Sequence, residues 1–194
     1  SGIKPVDTWD ATTLAWLSFG YVSRHPPINI LSFYNAIANG GKMLNPYLVD
    51  RIVDKSGRVV YSAQPKVLRD SICSDQTIEQ LRHMLRGVVL DGTGKAVNSP
   101  LVSISGKTGT AQTLNPKTRT YEHCGHYVSF CGYFPSDNPR YSVISTVMLP
   151  PGAVYSAGHQ PGAVVRAIAE AVASRGTARS VTEMVPKQDK LKGV

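Results

Sequence analysis

Residues 103–112 read SISGKTGTAQ. Lys107 can set an ammonium group beside an anion, and the Thr108 hydroxyl can hydrogen-bond one. Two chemistries use such a set. A phosphate loop has the form G-x-x-x-x-G-K-[ST], where the first glycine lets backbone amides wrap the phosphate. Gly106, Lys107 and Thr108 supply its second half, but Leu101 stands where the first glycine belongs. A second Gly-Lys, in DGTGKA, has Val89 at that place and Ala96 instead of the hydroxyl residue. The flanks also disagree: Val102, Ile104, Thr108 and Thr110 continue an extended pattern, whereas a phosphate loop joins a strand to a helix. The phosphate reading fails.

The other chemistry belongs to a strand. If 103–112 lies at a sheet edge, its outer N–H and C=O groups are open to an extended ligand. One residue of an antiparallel ladder sends both groups to the same side. With Thr110 facing out, its N–H donates to a ligand carbonyl and its C=O accepts from a ligand amide. Gly109, lacking a side chain, lets a ligand lie close. Lys107 and the Thr108 hydroxyl suit a carboxylate. The set describes a site for a short peptide ending in a carboxylate. Taken alone, K-T-G is too short to carry this, since a Gly- and Thr-rich strand with an exposed lysine reads the same way.

The elements that must hold this strand are legible. Pro26 and Pro27 start a helix over 28–39 with Ile30, Tyr34, Ile37 and Ala38 on one face, stopped by Gly40 and Gly41. A lead-in, helical or irregular, covers 8–19. A hairpin over 47–53 and 58–62 turns at 54–57. Ser74 caps a helix over 75–90 with Ile78, Leu81, Leu85 and Val88 inward and Gly92 at its end. Strands over 102–112, 127–134 and 141–149 follow, the last two separated by the turn PSDNPR. A helix over 162–174 closes the pattern, and the residues from Gly176 read as a loose tail. Helices packed on an antiparallel meander predict an α+β fold.

Composition bounds the partners. Of the 194 residues, 42% are hydrophobic and 18% charged, which suits a packed core. The net charge of +8 admits anionic partners, but no run of five basic residues and no basic helix with interleaved aromatics occurs, so nucleic-acid binding is not expected. No apolar run is long enough to span a bilayer. Three cysteines, Cys73, Cys124 and Cys131, are not a disulfide framework, and a Cys124–Cys131 pair stays open. His123, Cys124, His126 and Cys131 fit no familiar zinc spacing, so neither metal nor cofactor is expected.

The wider context of K-T-G carries a family resemblance. GTGKAV, a short spacer and SGKTGTAQ together resemble the third active-site motif of penicillin-binding proteins, shared with class A β-lactamases. LSFGY, FYNAIANGGKMLNPYLV, LRGVVLDGTGKA and VSFCGYFPSDNPRYSV extend the likeness in the same order, from about Trp9 to Ser174. The chain resembles the C-terminal half of a class B penicillin-binding protein transpeptidase domain, nearer the cell-division than the elongation type. GYVSRHPP and AGHQPGAV depart from the usual pattern, without touching the K-T-G strand.

The resemblance implies a serine D,D-transpeptidase that cross-links peptidoglycan stem peptides ending in D-Ala-D-Ala and is trapped by β-lactams. Position by position, it implies catalytic roles for Lys107, Thr108 and Thr110 and substrate contacts for Ser105, Gly109 and Gln112. The Thr110 N–H would be one oxyanion donor and the serine's own amide the other. The family also needs S-x-x-K and S-x-N. Each occurs once, at Ser1-Gly2-Ile3-Lys4 and Ser136-Asp137-Asn138, and both are rejected. The first has no turn before it to seat a catalytic helix. The second follows the K-T-G strand and spells a β-turn. The expectation is therefore a piece, residues 1–175 forming the C-terminal portion of the domain and 176–194 a polar tail, with nucleophile and membrane anchor on a preceding segment. Such a piece should be inactive alone. The family implies an extracytoplasmic place at the cell membrane and divisome partners. In the family the last strand pairs with earlier strands, so 141–149 should have a bare edge open to self-association. A serine β-lactamase or D,D-carboxypeptidase of the same fold, and a noncatalytic wall-binding paralogue, are the competing readings.

Overall fold

Hydrophobic period and turn residues set the element order in the computed structural model, which describes residues 2–3, 5–113, 115, 118, 120–121 and 124–183, with backbone alone at 3 and 176–183. Strand β1 (Gly2–Ile3), helix α1 (Thr13–Ser18) and β2 (Ser23–Arg24) lead into helix α2 (Pro27–Ala38). Four short strands follow, β3 (Met43–Leu44), β4 (Arg51–Val53), β5 (Val59–Ser62) and β6 (Val67–Arg69), and then helix α3 (Asp75–Leu90). The meander β7 (Ser105–Gln112), β8 (His126–Phe134) and β9 (Tyr141–Leu149) precedes helix α4 (Pro161–Glu183).

The central sheet is β7-β8-β9, antiparallel throughout, and β1–β2, β3–β6 and β4–β5 form separate antiparallel pairs. Side chains alternate across the sheet, so β8 feeds two cores. Phe130 and Phe134 join Val89, Val97, Ile104, Val165 and Ala169 beneath α4 and the end of α3. Tyr133 joins Ile37 and Leu85 beneath α2 and α3. The fold is α+β, as the sequence predicts.

Helix ends are fixed by local chemistry. The Ser74 hydroxyl accepts from the Thr77 amide at 3.2 Å, capping α3. Gly40 and Gly41, at φ 64° and 91°, end α2 in the left-handed region, with the Gly41 amide on the Ala36 carbonyl at 2.8 Å. Arg82 of α3 donates to the carbonyls of Ile37 and Ala38, placing a cation at the α2 C-terminus. Arg86 of α3 donates to the Ile104 carbonyl at 2.8 Å, which ties α3 to the start of β7.

Three boundaries differ from the sequence reading: the first arm of the hairpin, expected over 47–53, begins only at Arg51. The predicted strand over 102–112 begins only at Ser105. The register that sets Ser105 opposite Tyr133 puts Pro135 opposite Ser103, and proline has no N–H for the ladder. The chain turns there, and Ser103 accepts instead from the Ser136 amide. The last helix runs past Ser174 to Glu183, so part of the predicted tail is helical; residues 184–194 lie outside the described residues. The three cysteines are free, Cys124 and Cys131 both buried.

Candidate functional site

The edge of β7 is the site's frame. Among the described residues only β8 pairs with it, which leaves its other side without a partner strand. The Thr113 amide donates to the Gly125 carbonyl at 2.9 Å, and the same register runs on through Ala111 opposite Tyr127 and Lys107 opposite Cys131. Alternate residues of an antiparallel strand bond the partner. Residues 105, 107, 109 and 111 therefore face β8, whereas Gly106, Thr108, Thr110 and Gln112 turn their N–H and C=O outward. Gln112 bears this out, because its amide donates to the Tyr21 hydroxyl at 3.2 Å on the outer side. No described residue pairs with the outward groups of Thr110, whose side chain is exposed.

Lys107 and Thr108 form a small polar chain. The Lys107 Nζ donates to the Thr108 carbonyl at 3.0 Å and to its Oγ1 at 3.2 Å. That Oγ1 lies 2.7 Å from the hydroxyl of Thr93, in the loop after α3. The loop is tight: the Gly92 amide reaches the carbonyls of Gly87 and Val88, and the Gly94 amide reaches Val88 again. A Cβ on Gly158 would sit 2.9 Å from the Thr93 carbonyl, so the segment before α4 packs directly on this loop. No carboxylate pairs with Lys107 among the described residues. Its charge is exposed beside two hydroxyls, a setting that favours an incoming anion.

The structure sorts the other expected residues. Ser105 is 1% exposed, and its hydroxyl lies 2.8 Å from that of Ser136 at the turn after β8. Gly109 makes room inward, since a Cβ there would lie 2.5 Å from the Ser129 Oγ across the ladder. Gln112 keeps an exposed side chain, but its outward amide is already taken by Tyr21. Opposite Gln112, the His126 ring stacks on Tyr155 at 3.8 Å, and its buried Nδ1 has no partner among the described residues. His123, one of the weighed metal ligands, lies outside the described residues, and no group of three His, Cys, Asp or Glu gathers among those described.

Two contributors were not assigned from sequence. Thr93 was quoted within DGTGKA, but without a role; its partnership with Thr108 joins segments that only the fold brings together. Tyr21 lies in GYVSRHPP, and no spacing signal links it to Gln112.

The edge strand thus carries an outward Thr110, a cation with no carboxylate partner among the described residues, and a hydroxyl pair. The sequence matches the penicillin binding protein transpeptidase domain over residues 1–170. The chain belongs to this family. Among curated relatives of this transpeptidase family, it is 32% identical over 148 residues to penicillin-binding protein PbpB of Mycobacterium tuberculosis, covering 73% of this chain and 22% of that protein. It is 30% identical over 166 residues to the peptidoglycan D,D-transpeptidase FtsI homolog of Mesostigma viride, covering 80% of this chain and 28% of that protein. The transpeptidase-family structure of apo penicillin binding protein 3 from Mycobacterium tuberculosis superposes with a TM-score of 0.75 at 31% identity, over 90% of this chain and 41% of that one. That protein has also been solved with aztreonam and with ampicillin. The chain thus spans about a quarter of the curated penicillin-binding relatives it matches. Among the described residues no helix is long and apolar enough to cross a membrane.

Proposed function

We propose that residues 1–175 are the C-terminal portion of a peptidoglycan D,D-transpeptidase domain and supply its substrate-docking edge. The observation that carries this is the outward Thr110 on an open strand, beside the Lys107–Thr108–Thr93 chain. A stem peptide lies antiparallel along β7, its terminal carboxylate toward Lys107 and Thr108. The Thr110 C=O accepts from a peptide amide, and its N–H donates to the carbonyl oxygen of the bond that breaks.

In the full protein, a serine on a preceding segment attacks that carbonyl and gives its proton to a neighbouring lysine. The tetrahedral oxyanion rests on the Thr110 N–H and the serine's own amide, D-alanine leaves, and an amine from a second stem peptide takes the acyl group. A β-lactam acylates the same serine. Removing one oxyanion donor costs about 2.7–4 kcal/mol in other acyl-transfer enzymes. On this reading the protein works at the outer face of the cytoplasmic membrane with divisome partners, as the family resemblance implies.

Fluorescent-penicillin labelling tests the reading. The full-length protein should label covalently, and the 194-residue chain should not. A full-length protein that never labels would end the proposal, and rapid hydrolysis of the bound β-lactam would favour a β-lactamase. The β9 edge has no partner strand among the described residues. The isolated chain is therefore expected to self-associate through it, and charging that strand should remove any dimer seen by light scattering. A chain that is monomeric throughout would refute this part.

A further inference from the structure

Between α2 and α3 the chain runs out and back as an arm. At its root the Ile72 amide donates to the Gly41 carbonyl at 3.0 Å; β3 then pairs with β6, and the Asn45 amide reaches the Lys66 carbonyl at 2.8 Å. Beyond that stalk stand β4 and β5, paired with each other and with no other strand among the described residues. Asp54 locks the turn, accepting from the Ser56 amide at 2.9 Å and from the Arg58 amide at 3.0 Å. The hairpin is ordered, yet it covers nothing. Ile52 and Tyr61, paired on one face, are each 50% exposed, and Val53 and Val59, paired on the other, are 53% and 51% exposed. A lone two-stranded hairpin is marginal in water, and a third strand or a covering element is what stabilises one.

We propose that β4 is a docking edge for an extended segment of another protein, in which acidic and apolar residues alternate and which joins the hairpin as its third strand. The inference is independent of the β7 edge. The Ala63 amide donates to the Asp50 carbonyl at 2.7 Å, and the Asp54 amide to the Arg58 carbonyl at 2.9 Å. Residues 50, 52 and 54 therefore bond inward, and Arg51 and Val53 turn N–H and C=O to the open side. The other edge is less suited. Ile52 lies opposite Tyr61 and Val53 opposite Val59, so Val60 is an extra residue that bulges β5 and breaks the phase of its outer groups.

Side chains set the sequence of the partner. Its residue opposite Ile52 shares a face with the Ile52–Tyr61 pair and is apolar, and the neighbouring residue opposite Arg51 meets a guanidinium on the other face. Arg51, Lys55, Lys66 and Arg69 have no carboxylate partner among the described residues, whereas Asp54 at the tip is already held by Arg58 at 3.1 Å. An acidic row answers that charge. A second copy of the arm would bring like charges together. A layer of anionic lipid headgroups would satisfy the cations but not the Arg51 and Val53 main-chain groups, which call for a strand.

The test titrates three dye-labelled peptides with the full-length protein and reads fluorescence anisotropy. One repeats Glu-Val four times, the second has lysine in place of glutamate, and the third is the first with its two inner valines replaced by proline, which cannot enter a ladder. The glutamate peptide should bind at least about tenfold more tightly than the lysine peptide at low salt, and the difference should shrink as salt rises. Arg51→Glu should weaken it roughly fivefold or more without changing the thermal midpoint, because the side chain is exposed. In the unaltered protein, which needs no variant to fold, the glutamate peptide should slow hydrogen exchange across 51–53. Equal binding by the glutamate and lysine peptides, undiminished binding by the proline peptide, protection elsewhere, or no binding by any peptide overturns the proposal. Phosphatidylglycerol vesicles that protect 51–53 when the glutamate peptide does not would assign the arm to a membrane surface and overturn it as well.

Discussion

Proline at position 110 separates the docking edge from ordinary strand structure. Proline has no N–H, and within sheets it is tolerated where the lost donor faces away from the ladder. The Thr113–Gly125 bond and the unbroken register turn the Thr110 amide outward. Thr110→Pro should therefore keep β7 paired with β8 while deleting the proposed oxyanion donor. The expected loss in the rate of acylation by penicillin is at least about 100-fold. The ring carbon that replaces the hydrogen also fills the ligand's place, so the effect can only exceed that figure.

Ala111→Pro is the matched control. Its amide faces Tyr127 and bonds into the ladder. Substitution breaks that bond and strands a carbonyl, at a cost of about 2 kcal/mol or more. For a domain of this size that lowers Tm by roughly 4–8 °C. The assay pairs thermal unfolding with stopped-flow acylation of the full-length protein, and Thr110→Ala, which keeps the amide, should acylate nearly as fast as the unaltered protein. The reasoning is refuted if Thr110→Pro acylates normally, or if it unfolds as early as Ala111→Pro, since either result would mean that the Thr110 amide does not face the ligand.

Three further outcomes follow from the geometry. Gly106 and Gly132 lie opposite each other, and a Cβ on Gly132 would come 2.1 Å from the Ser105 carbonyl oxygen and 2.9 Å from the Gly106 Cα. Gly132→Ala should push β7 off β8 and cost about 2–3 kcal/mol in urea unfolding, whereas Gly109→Ala, which meets only the Ser129 hydroxyl, should cost under about 1 kcal/mol; equal costs would contradict the packing. Thr93→Val removes the partner of the Thr108 hydroxyl and should slow acylation by about three- to tenfold, the worth of one hydrogen bond, with little change in Tm. Burial pushes the Cys131 thiol up to about 12 and the Tyr34 phenol, beside it, also up to about 12, from ordinary values of 9.0 and 10.0. Both groups are raised on folding, so the stability they add is complete below pH 9 and is lost as pH climbs toward 12; urea midpoints measured upward from pH 8 should fall, and Cys131→Ala should flatten the first part of that fall.

The fold was legible where one segment carries its own signal. Ser74, Asp75 and the apolar stripe through Leu85 define α3 to the residue, because cap and period lie within a single stretch. The strand β9 also matches its predicted span, set off by a proline-bearing turn on one side and Pro150 on the other. Pairings between distant short segments were not legible. Met43–Leu44 pairs with Val67–Arg69 across an intervening hairpin, and two or three residues cannot display a period. The β7 start was missed for a related reason. Val102 and Ile104 have strand character, but the residue that ends the ladder, Pro135, is on another strand.

The site divides along the same line. The sidedness of Lys107, Thr108 and Thr110 follows from spacing within one strand, which β geometry converts into alternate faces. The burial of Ser105 was not legible from that spacing. Ser105 shares the Lys107 side of the pleat but sits two residues deeper, where the Ser136 turn closes over it. Thr93 and Tyr21 are placed by tertiary structure alone, one against the Thr108 hydroxyl and one on the Gln112 amide. Lys107 occupies the Thr108 carbonyl and Tyr21 the Gln112 amide, and Thr110 between them has no partner for either outward backbone group among the described residues. An edge of that length can hold one ladder repeat of an extended ligand. That is enough for the end of a peptide, and too short for another strand to zip along β7.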